Sequence, residues 1–459
     1  MSDILLTYVK PHVQEDPLAM VLGITYLGAA LRDQGFDVEL IDERVYSEQE
    51  LREAIERSRI CGFSALTPNV RRAIRWARYA KERGKITVMG GPHASVDPDL
   101  FLDSGAFDYV LQGEGETTIG PFVRAVLDGD EAALAEIEGI AFRRGSERVV
   151  KKAPALIKDL DSVAFPAREL LDMERYFRAN KERLAYVFTT RGCPYRCTFC
   201  QKELTGRGYR VRGIANIVDE MEELVGRYRP GSILFIDEIF TLRKKRIYEL
   251  CDEIRRRKLN VRWVCNTRAD CVDFPMLRAM YEAGCRRIYY GWESGSRRVL
   301  EVLQKDLSPE TIVEAAHMTR RAGIWAKVFL IVGSPTETLA DIRETERLLR
   351  LAQPDLIRVS IFNPLVGTPS WEQLRAYIDT EDLSENYVSS NRSAYAHDHF
   401  SQDELERIKR ELIERYERWY HGPLPKLKRS FERLRYYLEN PVEGRARLAR
   451  ALSAPRAAL

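Results

Sequence analysis

The sequence predicts an α/β protein built from two successive runs of strand–helix units, with a connector between them and a helical extension after them. Three observations carry this reading. Apolar β-branched runs alternate with helix-period segments over residues 4–126, the pattern of a parallel, doubly wound sheet. The alternation resumes over residues 184–374. A Cys-x3-Cys-x2-Cys loop (Cys193, Cys197, Cys200) stands directly after the strand that opens this second run. The expected boundaries are 1–135, 136–183 (connector), 184–375 and 376–459.

Composition sets the bounds. A chain of 459 residues has room for about three domains, and 45% hydrophobic residues suffice for real cores. Lys plus Arg, 72, against Asp plus Glu, 69, leaves +3, so no global charge argument for nucleic acid exists. The opening MSDILLTYVK is neither a signal peptide nor a membrane span. Eight Cys, three of them clustered, fit a reducing compartment, and a cytoplasmic protein is expected.

In the first run, strands are expected at 4–9, 36–42, 60–64, 86–90 and 109–112, with helices at 22–31, 51–55, 70–83 and 119–127. Ligands of such sheets sit beyond the carboxyl ends of the strands. Asp42 ends the second strand, where an acidic residue can hold a ribose. The first turn, however, carries Lys10, Pro11 and His12 instead of Gly-x-Gly-x-x-Gly, which rejects a dinucleotide site. Later strands run into Ser64-Ala65-Leu66-Thr67, Gly90-Gly91-Pro92-His93 and Gly113-Glu114-Gly115-Glu116. Glycines there let a large ligand approach the backbone. Glu114 and Glu116 equally suit the N-terminus of the following helix. The connector reads as a hairpin over 139–150 and a short helix over 170–176, without chemistry of its own.

In the second run, strands at 232–236, 261–268, 287–295, 326–333 and 356–364 follow the cysteine loop. Polar residues stand at most of their C-terminal ends, where barrels gather chemistry. Three thiolates this close can grip a polynuclear iron–sulfur cluster, and with no fourth ligand nearby one metal position stays open. Buried or zinc-binding thiols are the alternative. Cys61 and Cys251 read as small hydrophobes, and Cys265, Cys271 and Cys285 lack cluster spacing. Beyond residue 376 the chain turns polar and loop-like, with a His397-x-His399 pair. Ser401 and Glu404 form a capping box for a long helix, a second helix is expected at 427–438, and residues 421–459 make a basic tail.

The cysteine spacing, Phe199 before the last Cys and the position after a strand resemble the radical S-adenosylmethionine (SAM) superfamily. The resemblance implies a partial (β/α) barrel and a 4Fe–4S cluster on Cys193, Cys197 and Cys200 whose open iron binds SAM. Carried over in the same way, Asp237 or Glu238 holds the SAM amino group, and Glu293 and Ser294 contact its ribose and carboxylate. Ile331, Gly333 and Phe199 flank adenine, and Arg268 clamps a carboxylate or the substrate. Asp237, Glu238 and Glu293 also suit ion pairs, and Arg268 a barrel brace. The loops of the first run resemble the Rossmann-like cobalamin-binding domain joined to such barrels, implying contacts from Ser64, Leu66, Thr67, Gly90, Gly91, His93, Gly113 and Glu114. The Asp-x-His-x-x-Gly of mutase-type domains is missing, so cobalamin is expected without a His ligand, and His12 as an ordinary loop residue.

Together these resemblances imply a cobalamin-dependent radical SAM enzyme that methylates an unactivated carbon of a small molecule through a 5′-deoxyadenosyl radical and methylcobalamin. An electron donor such as flavodoxin or ferredoxin is implied as partner. Two alternatives stay open: a cyclisation or rearrangement without methyl transfer, and a cofactor-binding protein that has lost its chemistry.

Overall fold

The computed structural model describes residues 1–11, 20–180, 182–378 and 392–422. Residues 1–406 form one compact unit and 407–459 a second. His12, the 427–438 helix and nearly all of the basic tail lie outside the described residues.

The first sheet has seven strands in the order β2-β1-β3-β4-β5-β6-β7. They are β1 (Ser2–Tyr8), β2 (Val38–Asp42), β3 (Ser58–Ser64), β4 (Ile86–Gly90), β5 (Tyr109–Leu111), β6 (Ile140–Arg144) and β7 (Glu147–Val150). The first five run parallel, as the alternation predicts. β6 and β7 add antiparallel at the edge. The hairpin read as part of a connector is thus the outer edge of this sheet. Its short polar turn gave no hint of which strand it would join.

Apolar side chains line both faces of the sheet. Ile4, Leu6, Ile60 and Val88 pack to one side, and Leu5, Cys61, Phe63 and Met89 to the other. That two-sided burial is what near-continuous apolar strands require. Helix Glu48–Arg57 opens with a full capping box from Ser47 and Glu50. Asp42 is spent inside the fold: its carboxylate accepts from Arg44 at 2.6 Å and from the Tyr176 hydroxyl at 2.8 Å. Tyr176 lies on helix Met173–Ala179, so the connector is stitched to the sheet through the residue that a ribose would have needed.

The second sheet is six-stranded and all parallel, ordered β15-β14-β13-β12-β11-β8. Its strands are β8 (Leu184–Val187), β11 (Ser232–Phe235), β12 (Trp263–Thr267), β13 (Cys285–Glu293), β14 (Trp325–Val332) and β15 (Leu356–Ile361). Helices Ile214–Tyr228, Lys244–Arg256, Phe274–Glu282, Pro309–Arg321 and Leu339–Ala352 connect them, giving the open barrel that the resemblance implies. After β8 a two-residue ladder, β9 (Thr190–Arg191) against β10 (Arg210–Val211), forms the neck of the loop that carries the three cysteines. Gly192, at φ +87°, turns the chain into that loop against the backbone oxygen of Gly208, where no Cβ would fit. Among the described residues, no helix is long and apolar enough to cross a membrane. Helix Gln402–Tyr420 follows the predicted box, with Ser401 and Glu404 bonded to each other's backbone.

Candidate active site

The C-terminal ends of the barrel strands gather most of the polar residues singled out above. Cys193 and Cys197 are buried and Cys200 is half-buried, all three as free thiols. Backbone bonds seat the loop: Thr198 N–H donates to Leu303 O at 3.0 Å and Ser370 N–H donates to Thr198 O at 3.0 Å. Burial pushes the Cys197 thiol up, while Lys305 and Arg268 beside it pull the other way. Lys202 is buried next to the sulfurs of Cys200 and Cys193; burial lowers its pKa, but the two sulfurs raise it further. Among the described residues no three His, Cys, Asp or Glu side chains converge tightly enough for one ion. Three thiols on one loop fit a polynuclear cluster bound through one thiolate per iron.

Glu293 ends β13 at a register shift opposite β14, with a left-handed φ of +64°. A non-glycine residue held there is strained, and such strain clusters at functional sites. The bulge carries the Glu293 carboxylate to Lys305 Nζ at 2.7 Å, with both side chains under a tenth exposed. Lys305 Nζ also lies 6.0 Å from the centre of the Phe199 ring. Phe199 and Ile331 share one apolar cluster with Val299, Leu303, Phe362 and Tyr395. Of the three residues expected to flank adenine, Phe199 and Ile331 come together. Lys305 is the residue that sequence reasoning missed, because no motif surrounds it.

Arg268 is only partly a brace. It lies over the Tyr195 ring at 3.7 Å, pairs with Asp270 at 3.0 Å and donates to the Lys305 carbonyl at 2.6 Å. Its Nη1 is buried without a partner. At the neighbouring strand end, Glu238 accepts from Thr205 Oγ1 at 2.7 Å through one oxygen, while the other, Oε2, is buried and unpartnered. One orphaned cationic nitrogen and one orphaned carboxylate oxygen match the carboxylate and ammonium of an amino acid, which is the part of SAM that faces a cluster. The residues present fit both groups.

Other expectations need correction. Asp237 is fully buried and its oxygens accept from Thr189 N at 2.6 Å, from Thr190 N at 3.0 Å and from the Thr189 hydroxyl. It braces the end of β11 against the turn after β8, which leaves Glu238 as the strand-end acid. Ser294 Oγ serves Ser296 N at 3.1 Å and Thr345, so it fixes the turn after the bulge. The Gly333 amide donates to Glu337 at 2.6 Å, and its open side faces Leu405. His397 has both ring nitrogens engaged, one by Ser334 O at 2.9 Å and one by His399 N at 3.0 Å.

On the first sheet, Ser64, Gly90 and Gly91 meet at adjacent strand ends. Gly91, at φ +92°, passes Ser64 Oγ so closely that a Cβ would sit 2.6 Å from it. A Cβ at Gly90 would meet only Leu111 O, at 3.7 Å, and Leu66 is 43% exposed. Open backbone beside an exposed apolar side chain fits a broad ligand such as cobalamin. Thr67 Oγ1 and His93 Nδ1 lie 2.9 Å apart and tie these two turns together. Burial lowers the pKa of His93 to about 4, so it is neutral. Gly113 differs from the expectation: Pro154 fills its open side at 3.0 Å. Glu114 differs too. Its four lone-pair positions are taken by Arg191 (3.1 Å), Arg210 (2.9 and 2.8 Å) and Ile157 N (2.8 Å), leaving none for a cofactor or a helix end. The two sets of turns touch: Gln201, next to Cys200, donates its side-chain N–H to Pro92 O at 3.2 Å.

The radical SAM superfamily model matches residues 187–349 and the B12-binding domain model residues 18–122. An uncharacterized methyltransferase of Pyrococcus horikoshii is 28% identical over 437 residues, covering 93% of each chain. An anaerobic magnesium-protoporphyrin IX monomethyl ester cyclase of Rubrivivax gelatinosus is 30% identical over 380 residues, covering 80% of this chain and 68% of its own. Among solved structures, the radical SAM methyltransferase TsrM of Kitasatospora setae, with cobalamin and a 4Fe–4S cluster bound, shares the fold at a TM-score of 0.69. It has 21% identity, with 83% of this chain and 76% of that one covered. The protein belongs to the cobalamin-binding branch of the radical SAM superfamily, and it is an enzyme with a 4Fe–4S cluster, SAM and cobalamin as its cofactors.

Proposed function

We propose that the enzyme methylates an unactivated carbon of a small molecule held between the cysteine loop and the glycine turns. The observation that carries this reading is the contact of Gln201 with Pro92, which brings the cluster loop and the cobalamin turns to one place. When bound, the cluster and SAM supply a hydrogen-abstracting 5′-deoxyadenosyl radical and cobalamin supplies a transferable methyl group. The chain itself does the positioning. Cys193, Cys197 and Cys200 hold the cluster. Arg268 Nη1 and Glu238 Oε2 orient the two ends of the SAM amino acid, and Glu293 with Lys305 fixes the wall beside Phe199. A buried, dry setting strengthens each of these contacts.

The end-to-end likeness to a methyltransferase, 93% of both chains, supports methyl transfer. A ring-forming radical reaction is the second reading, favoured by the likeness to the cyclase. Anaerobic turnover with methyl-deuterated SAM and a small-molecule extract of the source cells separates them. Methyl transfer gives 5′-deoxyadenosine and S-adenosylhomocysteine in equal amounts and a product carrying three deuteriums. 5′-Deoxyadenosine without S-adenosylhomocysteine would assign the cyclase-type reaction. We further propose a cytoplasmic setting and a flavodoxin- or ferredoxin-like electron donor, the first supported by eight free thiols.

A further inference from the structure

The neck of the cysteine loop contains an arrangement that needs a reason. Arg191 on β9 and Arg210 on β10 are direct cross-strand partners in a two-residue ladder. Like charges facing each other across a ladder destabilise it. Glu114, from the turn after β5 of the first sheet, reaches between them, with Arg191 at 3.1 Å on one oxygen and Arg210 forking to both at 2.9 and 2.8 Å. Glu116 takes the other terminal nitrogen of Arg191 at 2.6 Å. The side chains of all four residues are 12% exposed or less. A buried ion network of this kind is a poor source of stability, because desolvation offsets most of the attraction. What it does supply is fixed geometry.

We propose that Glu114, Arg191 and Arg210 form a positioning clamp that holds the cysteine loop at a set distance from the glycine turns of the first sheet, and thereby sets the cluster-to-cobalamin spacing. The clamp rests on the reading of both cofactors serving one substrate. Glu114 sits three residues after β5, at the strand ends where the first sheet offers its ligand turns, and Arg191 sits two residues before Cys193. Each end of the clamp is thus one short turn from a cofactor site. Losing the shared carboxylate leaves two guanidiniums facing each other, and the neck should open. The Gln201–Pro92 contact is a second, weaker tie across the same gap.

The test uses full-length protein reconstituted with cluster and cobalamin, and reads the dipolar coupling between cob(II)alamin and the reduced cluster by electron paramagnetic resonance. Glu114→Gln should keep iron and cobalamin at wild-type content while the coupling falls and the distance distribution broadens. Arg191→Lys, which keeps the charge but cannot reach both acids, should show a smaller change in the same direction. If Glu114→Gln fails to fold, Arg191→Lys decides. Coupling and distance spread identical to wild type, with both cofactors fully loaded, would overturn the clamp. A wild-type protein with both centres bound and no coupling between them would overturn the two-cofactor reading, and the clamp with it.

Discussion

Glu293 shows how one residue joins strain, burial and chemistry. Its left-handed backbone and buried pairing with Lys305 make it a fixed anion at the mouth of the barrel, beside Phe199 and Cys197. Replacing it with Ala would strand a buried ammonium and risk the fold, so Gln is the informative change. On the SAM contact that the resemblance implies for Glu293, Glu293→Gln should weaken SAM binding roughly ten- to hundredfold, the loss of one charge-assisted hydrogen bond of about 1.5–3 kcal/mol, with iron content unchanged. Isothermal titration and iron analysis of one preparation check this, and an unchanged SAM affinity would leave Glu293 as a brace for Lys305. Replacing Cys193, Cys197 and Cys200 together by Ala should remove all cluster iron after anaerobic reconstitution. Four irons retained would mean that other thiols carry the cluster. These two positions also mark what a sequence shows at the residue scale. The cysteines are legible because their spacing is local. Lys305 is not, because only the bulge in β13 brings it to Glu293. Asp237 and Glu238 are adjacent in sequence, and only the fold tells the barrel brace from the acid with a free oxygen.

At the scale of elements, alternation of apolar runs fixed most strands to within two residues, because buried parallel strands leave a strong local signal. Two things escaped it. The 140–150 hairpin carries no mark of its partner strand, since pairing is a long-range choice. The turn after β14 holds a feature visible only in three dimensions: Glu337 is completely buried, with one oxygen taking the amides of Gly333 and Ser334 and the other unpartnered. Burial raises its pKa from the usual carboxylate range to about 8, against the pull of those two amides. A raised folded-state pKa stabilises the protein below the unfolded value and loses that contribution as pH rises through the folded one. Stability should therefore fall between about pH 4.5 and 8 through this group. Glu337→Gln keeps the amide bonds and cannot ionise. It should match wild type near pH 5 and unfold a few degrees higher near pH 8.5, measured without SAM by differential scanning fluorimetry. Equal melting curves at both pH values would show that Glu337 does not titrate as its burial implies.

At the scale of the whole molecule, each sheet offers its ligand turns at the carboxyl ends of its strands, and the two sets of turns meet at Gln201 and Pro92. Contact at one edge does not make the two sites one site. Each cofactor's own contacts come from its own sheet, so damage to one should spare binding of the other. Gly91 is the sharpest probe on the first sheet. Its φ of +92° is glycine territory, and a Cβ would press on Ser64 Oγ at 2.6 Å. Gly91→Ala must move either its own turn or the one that carries Ser64. Backbone strain of roughly 1–3 kcal/mol at that turn corresponds to about a 5- to 150-fold loss of cobalamin affinity. Iron content and SAM binding should stay at wild-type values, whereas Glu293→Gln should weaken SAM binding and leave cobalamin binding at its wild-type value. Combining the two substitutions should give both losses at their single-variant sizes, because no side chain is shared between them. A Gly91→Ala protein that also binds SAM ten times more weakly would show that the glycine turns and the barrel mouth respond as one unit, and that the contact at Gln201 transmits more than position.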